Sequence, residues 1–355
     1  MARLLPRKRF TSGFAVALAV AATLFAAAAA VADPAAGRFD GGPNGEWSRT
    51  DFSRHTIDLA DIVSGGPSKD GIPPIDAPVF ESQARAAERL RPEAPVISLS
   101  VGGEAKAYPL SVLVWHEIVN DVIGGVPVAV TYCPLCNSSI AFDRRVDGRT
   151  LDFGTTGKLL KSNLLMWDRQ TESWWSQYMG DAVVGEMAGK KLAVVPCRLE
   201  SFERFRQRRP DGVVLRPTHM KLRAYGRNPY VRYDSAPWPF LYRGMAPEGI
   251  APMARVVAIG GEAWSLDLLR RRGMLKAGGV MLSWTPGQAS ALDAPTIADG
   301  RDVGNVVAER MGPGGPEDVA YVVAFAFAFH GFQPEGTIHV ACEAGDAPTK
   351  PVVCG

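Results

Sequence analysis

Long apolar runs are missing beyond the first 32 residues. The longest, Val319–Phe329, has 11 residues, against about 20 for a membrane-crossing helix, so no later segment reaches a membrane-spanning length. An excess of one charge sign is missing as well. The formal net charge is +2, and four basic residues, Arg3, Arg7, Lys8 and Arg9, precede the first acidic one, Asp33, so the chain without them carries −2. A nucleic-acid partner is not suggested. Cysteine is scarce, at five residues, and a chain that is 46% hydrophobic builds a core without staples, so the cysteines need another explanation. With only 21% of residues charged, whole-chain disorder is excluded.

What is present begins with an export signal. Residues 1–10 carry the four positive charges, Phe14–Ala30 is rich in Ala and Val, and Ala30-Val31-Ala32 supplies small residues for cleavage. Residues 1–32 therefore read as a signal peptide, and the rest as a periplasmic or secreted protein, soluble after cleavage. Residues 33–90 form a Gly-, Asp- and Arg-containing entry segment without hydrophobic period.

The remaining pattern predicts an α+β, strand-rich fold with short helices. Val96–Val101 and Glu104–Tyr108 flank Gly102-Gly103, the signature of a hairpin. A helix is expected from Pro109, with Val112, Trp115, Val119 and Ile123 on one face and Gly124-Gly125 as its stop. Val126–Tyr132 reads as a strand interrupted by Cys133-Pro134-Leu135-Cys136, Ile140–Arg145 and Arg149–Phe153 as a pair about Asp147-Gly148, and Val319–Phe329 as a core strand.

An internal echo divides the chain. The run from Val256 through Gly260-Gly261-Glu262-Ala263 to Leu269 repeats the run from Val96 to Leu113, and Phe329 with Pro334-Glu335-Gly336 repeats Phe205 with Pro210-Asp211-Gly212. Two diverged halves are expected: 91–220 with the cysteine motif, a connector at 221–250, and a degenerate second half at 251–355. Where the first has Cys133-Pro134-Leu135-Cys136, the second has Thr285-Pro286-Gly287-Gln288, so thiol chemistry belongs to the first alone.

Two intervening residues let both sulfurs of Cys133 and Cys136 face one point. Three readings are open: a thiol redox pair, two ligands of a metal site, or an inert bridge in an oxidising compartment. As a redox pair, Cys133 attacks or is attacked, Cys136 resolves the mixed disulfide, and His116 tunes the thiolate, with a periplasmic thiol protein or a small molecule as partner. As a metal site, Cys197 and His116 complete the set around Zn or Cu. The strand-turn-strand context resembles a metal knuckle more than the start of a helix, and Asn137 suits the left-handed position such a turn needs. A further possibility, within the thiol reading, makes either cysteine a hydrolase nucleophile with His116 as base.

Trp167, Trp174 and Trp175 sit among amides and charges, a density that suits either a small-molecule cleft in a non-enzymatic binding module or a core. Cys342 and Cys354 enclose a Pro- and Gly-containing tail and are expected to form a structural disulfide. Phe153–Lys158 departs from the phosphate-loop pattern and is rejected.

Tyr108-Pro109-Leu110, His116-Glu117, Asn120-Asp121, Thr131–Cys136, Phe153-Gly154, Asn163-Leu164, Asp168-Arg169, Thr171–Trp174 and Gln177 together resemble the prokaryotic family catalogued as domain of unknown function 3179. The resemblance implies export and one shared site, with Asn163, Asp168, Arg169, Glu172, Trp174 and Gln177 as candidate binding residues, and names no substrate. The chain departs from that pattern at Asn137, where the family more often has Gly.

Overall fold

The computed structural model describes residues 45–218, 223–342 and 351–355; the expected signal peptide and the first residues of the entry segment lie outside them. The chain folds as a strand-rich α+β protein, with only short helices among the described residues. None of those helices is long and apolar enough to cross a membrane.

The predicted first hairpin forms. Pro95–Val101 and Glu104–Pro109 pair antiparallel through Gly102 and Gly103, whose φ values of 57° and 87° only glycine adopts cheaply. Arg198–Ser201 pairs antiparallel outside the first strand, Val213–Leu215 runs parallel to the second, and Phe80–Ser82 closes that edge. The second half repeats this order. Arg255–Ile259 and Glu262–Ser265 form the hairpin, Val322–Phe325 lies antiparallel outside, Thr337–Val340 parallel, and Val352–Cys354 closes the edge. In each half a seven-residue helix, Phe202–Arg208 or Ala326–Phe332, links the outer strand to the parallel one.

The echoed residues have one packing role. Phe205 and Phe329 are fully buried, and Gly212 and Gly336 lie flat on their rings. A Cβ on either glycine would meet the ring Cζ at 2.5 or 2.6 Å, which explains Gly after each Pro-Asp or Pro-Glu.

Each half also carries an antiparallel meander: Ile118–Ile123, Val126–Cys133 and Ser138–Asp143 in the first, Met274–Ala277, Val280–Thr285 and Asn305–Gly312 in the second. They differ at one turn. The first closes tightly between Cys133 and Ser138, whereas residues 286–304 wander between the corresponding strands of the second. Among the described residues, the first half alone holds a further antiparallel sheet, Phe153–Leu160, Asn163–Asp168, Trp174–Ser176 and Ala182–Val184, edged by Ile62–Ser64. One core spans both halves, joining Tyr108, Val130 and Tyr132 to Val257, Leu282 and Val306.

Three local expectations are corrected. The helix from Pro109 stops at Leu113, because Glu117 takes φ +59° and the β-branched run Ile118-Val119 and Val122-Ile123 extends as a strand. Its apolar spacing fits both periods, so the pattern alone could not choose. Val319–Phe329 is likewise divided, as the strand Val322–Phe325 and the helix Ala326–Phe332. The pairing about Asp147-Gly148 shrinks to Arg145–Val146 with Arg149–Thr150, and Phe153 joins the inserted sheet. The entry segment, expected as loop, is woven in. Its Trp47 ring packs on Trp174 at 4.8 Å, and Lys69 Nζ lies over Trp47 and Trp167 at 4.4 and 4.0 Å while pairing with Glu172 at 2.5 Å.

Candidate functional site

Cys133 ends one strand of the meander and Ser138 opens the next, facing it in register. Between them the Asn137 amide donates to Pro134 O (3.2 Å), and Asn137 takes φ +53°, the left-handed position anticipated for it. Asn serves here better than Gly in one respect. Its side chain accepts from Tyr132 Oη at 3.2 Å and donates to Val323 O at 3.3 Å, pinning the turn to the second half. Phe325 N adds a bond to Cys136 O at 3.0 Å.

Both sulfurs are buried free thiols, with Cys133 2% and Cys136 0% exposed. Burial alone raises a thiol pKa. At Cys133 that effect is outweighed by hydrogen bonds from the Cys136 thiol and from the backbone amides of Leu164, Cys136 and Leu135, and the net shift is downward. Cys136 moves the other way, pushed well up by burial and by donating to its neighbour. Cys136 Sγ also lies 3.5 Å from Ser162 O, so its one hydrogen has two acceptors to choose between. The pair is thus polarised: Cys133 is prepared to be the thiolate, Cys136 its proton-bearing partner.

Beneath the turn lies a fully buried amide network. Gln177 Nε2 donates to Thr131 Oγ1 at 2.9 Å, while Gln177 Oε1 accepts from Ser138 Oγ at 2.7 Å and from Asn163 Nδ2 at 2.9 Å. Asn163 also directs a bond at the Cys136 sulfur. Leu164 and Asn163 both come from the inserted sheet, so that sheet supplies part of the sulfur environment.

Glu117 is the group that sequence reasoning passed over. Its amide donates to Leu113 O and its carbonyl accepts from Tyr132 N, both at 2.8 Å, which sets it beside the end of the cysteine strand. Burial, with the charge of Cys133 second, raises its carboxyl well above the ordinary range. A carboxyl that holds its proton more tightly than usual, close enough to feel the Cys133 charge, is suited to carry a proton for the sulfurs. The adjacent His116 drew attention by residue type alone, and nothing in the local sequence announces the positive φ that turns Glu117 inward. Tyr230 and Tyr233, from the connector, complete the wall, their hydroxyl pKa values raised first by burial and then by nearby charges that include the thiols.

Several predicted residues are not brought to the cysteines. His116 is buried, but Nδ1 donates to Pro73 O and Nε2 accepts from Tyr225 Oη, each at 2.7 Å, so neither nitrogen is offered to a thiol. Cys197 lies across the sheet, in the core that holds Tyr132 and Ala141, whereas Cys133 and Cys136 share the opposite core with Ile140 and Phe142. Burial pushes its thiol up to about 12. The four-ligand metal set is therefore not assembled, and among the described residues no group of three or more His, Cys, Asp or Glu could hold a metal. The hydrolase pairing with His116 fails for the same reason.

The tryptophan cleft is also corrected. Trp174 and Trp175 are fully buried and Trp167 is 7% exposed. Asp168 accepts from Thr171 Oγ1 at 2.8 Å and Trp175 Nε1 at 2.9 Å; Glu172 accepts from Arg49 N at 2.7 Å and Thr50 Oγ1 at 3.1 Å. These are packing and turn bonds. Arg169, half-buried, pairs with Asp76 at 2.7 Å. Of the six candidate binding residues, only Asn163 and Gln177 reach the cysteine turn. Cys342 and Cys354 are disulfide-bonded as expected, and the residues between them at 343–350 lie outside those described.

With this geometry in view, the chain belongs to the family described as protein of unknown function (DUF3179), which matches residues 69–336. No curated protein and no solved structure matches the chain.

Proposed function

We propose that this is an exported thiol–disulfide redox protein in which Cys133 is the reactive thiolate, Cys136 the resolving thiol and Glu117 the proton carrier. The observation that carries the reading is a pair of buried free thiols on one tight turn, where the Cys136 thiol and the backbone amides of Leu164, Cys136 and Leu135 pull the Cys133 pKa down against the rise that burial alone imposes. An inert core cysteine has no use for them. The signal-like leader supports export, and the oxidising compartment beyond it supports cycling.

The reactant class is a low-molecular-weight disulfide, because both sulfurs are buried. Cys133 thiolate attacks one sulfur of that disulfide, forming a mixed disulfide and releasing a thiolate that takes the Glu117 proton. Cys136 passes its own proton to the Glu117 carboxylate and attacks Cys133 Sγ, closing the Cys133–Cys136 bond and releasing the second thiolate, which is protonated from water. Two electrons pass from the protein sulfurs to the incoming disulfide.

The same strand order in both halves, with the matched Phe and Gly pairs, supports the reading that they are diverged copies of one frame. The test is equilibration of the leaderless protein in glutathione buffers, followed by acid quench, alkylation and mass mapping, with metal analysis beside it. A reversible Cys133–Cys136 bridge, absent in Cys136→Ser, is expected. Thiols that stay reduced throughout, or a bound metal lost in Cys133→Ser, would overturn the proposal.

A further inference from the structure

We propose that residues 235–241 form a latched strap over the dithiol, and that release of its latch to the sulfur site, at Phe240, is the step that admits a reactant to Cys133. This rests on the redox reading for its purpose, but not for its geometry.

The strap is fixed at both ends. Asp234 is clamped by Ser290 Oγ at 2.5 Å, Arg301 at 2.8 Å and Arg255 at 3.0 Å, and Tyr242 packs on Phe327 at 4.8 Å with its hydroxyl donating to Met245 O at 3.0 Å. Between those anchors, Ala236-Pro237-Trp238-Pro239-Phe240 contains two prolines, whose locked φ makes the segment stiff. A stiff segment moves as a unit or stays put.

Its middle carries the buried Pro239, Trp238 Nε1 donates to Tyr242 O at 3.3 Å, and the bonds to the sulfur site are made by Phe240. Phe240 N donates to Tyr233 Oη at 3.2 Å, and Phe240 O accepts from Ser162 Oγ at 2.5 Å. Both partners belong to the sulfur site: Tyr233 Oη donates to Leu135 O at 3.0 Å within the cysteine turn, and Ser162 O faces Cys136 Sγ. The Phe240 ring itself is 55% exposed and Trp238 48%, so the outer face contributes little burial to holding the strap down. Tyr233 and Tyr242, at its two ends, pack in the same apolar cluster as both sulfurs.

The closed position is strained at a hinge. Leu241, next to the Tyr242 anchor, takes φ +54°, a conformation a leucine adopts only at a cost and one that swinging the strap away relieves. The latch and the hinge therefore oppose each other.

The experiment measures the rate at which iodoacetamide alkylates Cys133 in the native leaderless protein, mapped by mass. Ser162→Gly removes the latch hydroxyl yet suits that residue's own positive φ of 64°. It should speed alkylation several-fold, up to about tenfold for one lost hydrogen bond. Leu241→Asn, which tolerates the left-handed conformation, should slow alkylation several-fold by relaxing the closed state. Unfolding midpoints are measured alongside, because a merely destabilised fold would speed alkylation in proportion to lost stability. Rates unmoved by both variants, or moved in the same direction by both, would overturn the strap. Rates that respond in opposite directions, in a protein whose cysteines never bridge in glutathione buffers, would overturn the redox reading and leave the strap standing.

Discussion

The two halves are built on one frame and differ where the chemistry lies. Each has a glycine-turned hairpin, an antiparallel outer strand, a seven-residue helix with a buried Phe under a Gly, and a parallel return strand. Each continues from its hairpin into an antiparallel meander. Only the first closes that meander with Cys133–Asn137, and only the first receives the inserted sheet that brings Leu164 and Asn163 to the sulfurs. Donors converging on one sulfur require the cysteine turn and the inserted sheet to meet, and among the described residues the second half has neither.

The strongest test of this comparison is transfer of the motif. Thr285→Cys with Gln288→Cys puts the same spacing at the corresponding turn, and no reversible bridge is expected there, whereas Cys133→Ser should abolish bridging at the native site. Thiol mapping after glutathione equilibration reads both, and a cycling grafted pair would show that spacing suffices.

The next test asks whether the frames are equivalent in energy. Phe205→Ala and Phe329→Ala each empty a fully buried ring site beside its glycine and should each cost about 3–5 kcal/mol, read by urea unfolding. Gly212→Ala and Gly336→Ala, which force a Cβ against those rings, should each cost about 1–3 kcal/mol. A large inequality within either pair breaks the symmetry.

A pH series separates the site from the frame. Glu117 has a folded pKa raised, by burial first, above its unfolded value of 4.5, so the folded protein holds that proton more tightly. Its contribution to stability is fully present below about pH 4.5 and is lost as pH rises through the raised folded value. Glu117→Gln should remove that decline, so the variant gains on the parent as pH rises; parallel stability profiles would contradict the protonated carboxyl. The smallest effect belongs to the edge of the inserted sheet. Arg169→Ala breaks a half-exposed pair with Asp76 and should change stability by about 0–1 kcal/mol and leave bridging unaltered.

Much of the frame was legible in residues. Gly102-Gly103 and Gly260-Gly261 marked both hairpins, the matched Phe-to-Pro spacings marked the internal echo though not its helices, and Asn137 marked the left-handed turn, because each reflects a local rule of backbone or packing. The misread parts are those where local rules tie. Val112, Trp115, Val119 and Ile123 satisfy a helical period, but β-branched residues and a turn at Glu117 sent the second half of that run into a strand. Asn163 and Gln177, expected as binding residues, lie beneath the cysteine turn, while Asp168, Glu172 and Trp174, taken from the same motifs, serve the inserted sheet.

The sequence by itself determined the strand-rich class, the repeated hairpins, the Cys342–Cys354 disulfide and the cysteine turn, since these rest on neighbours within a few residues or on pairing rules. Tertiary structure decided which face each sulfur takes and what meets it there. Cys197 and His116 were plausible companions by type, yet one lies across a sheet and the other spends both nitrogens elsewhere. Glu117, Leu164 and the strap at 235–241 became companions only through long-range packing. Spacing sets where two sulfurs stand; the acidity of one depends also on the Leu164 amide, brought from far along the chain.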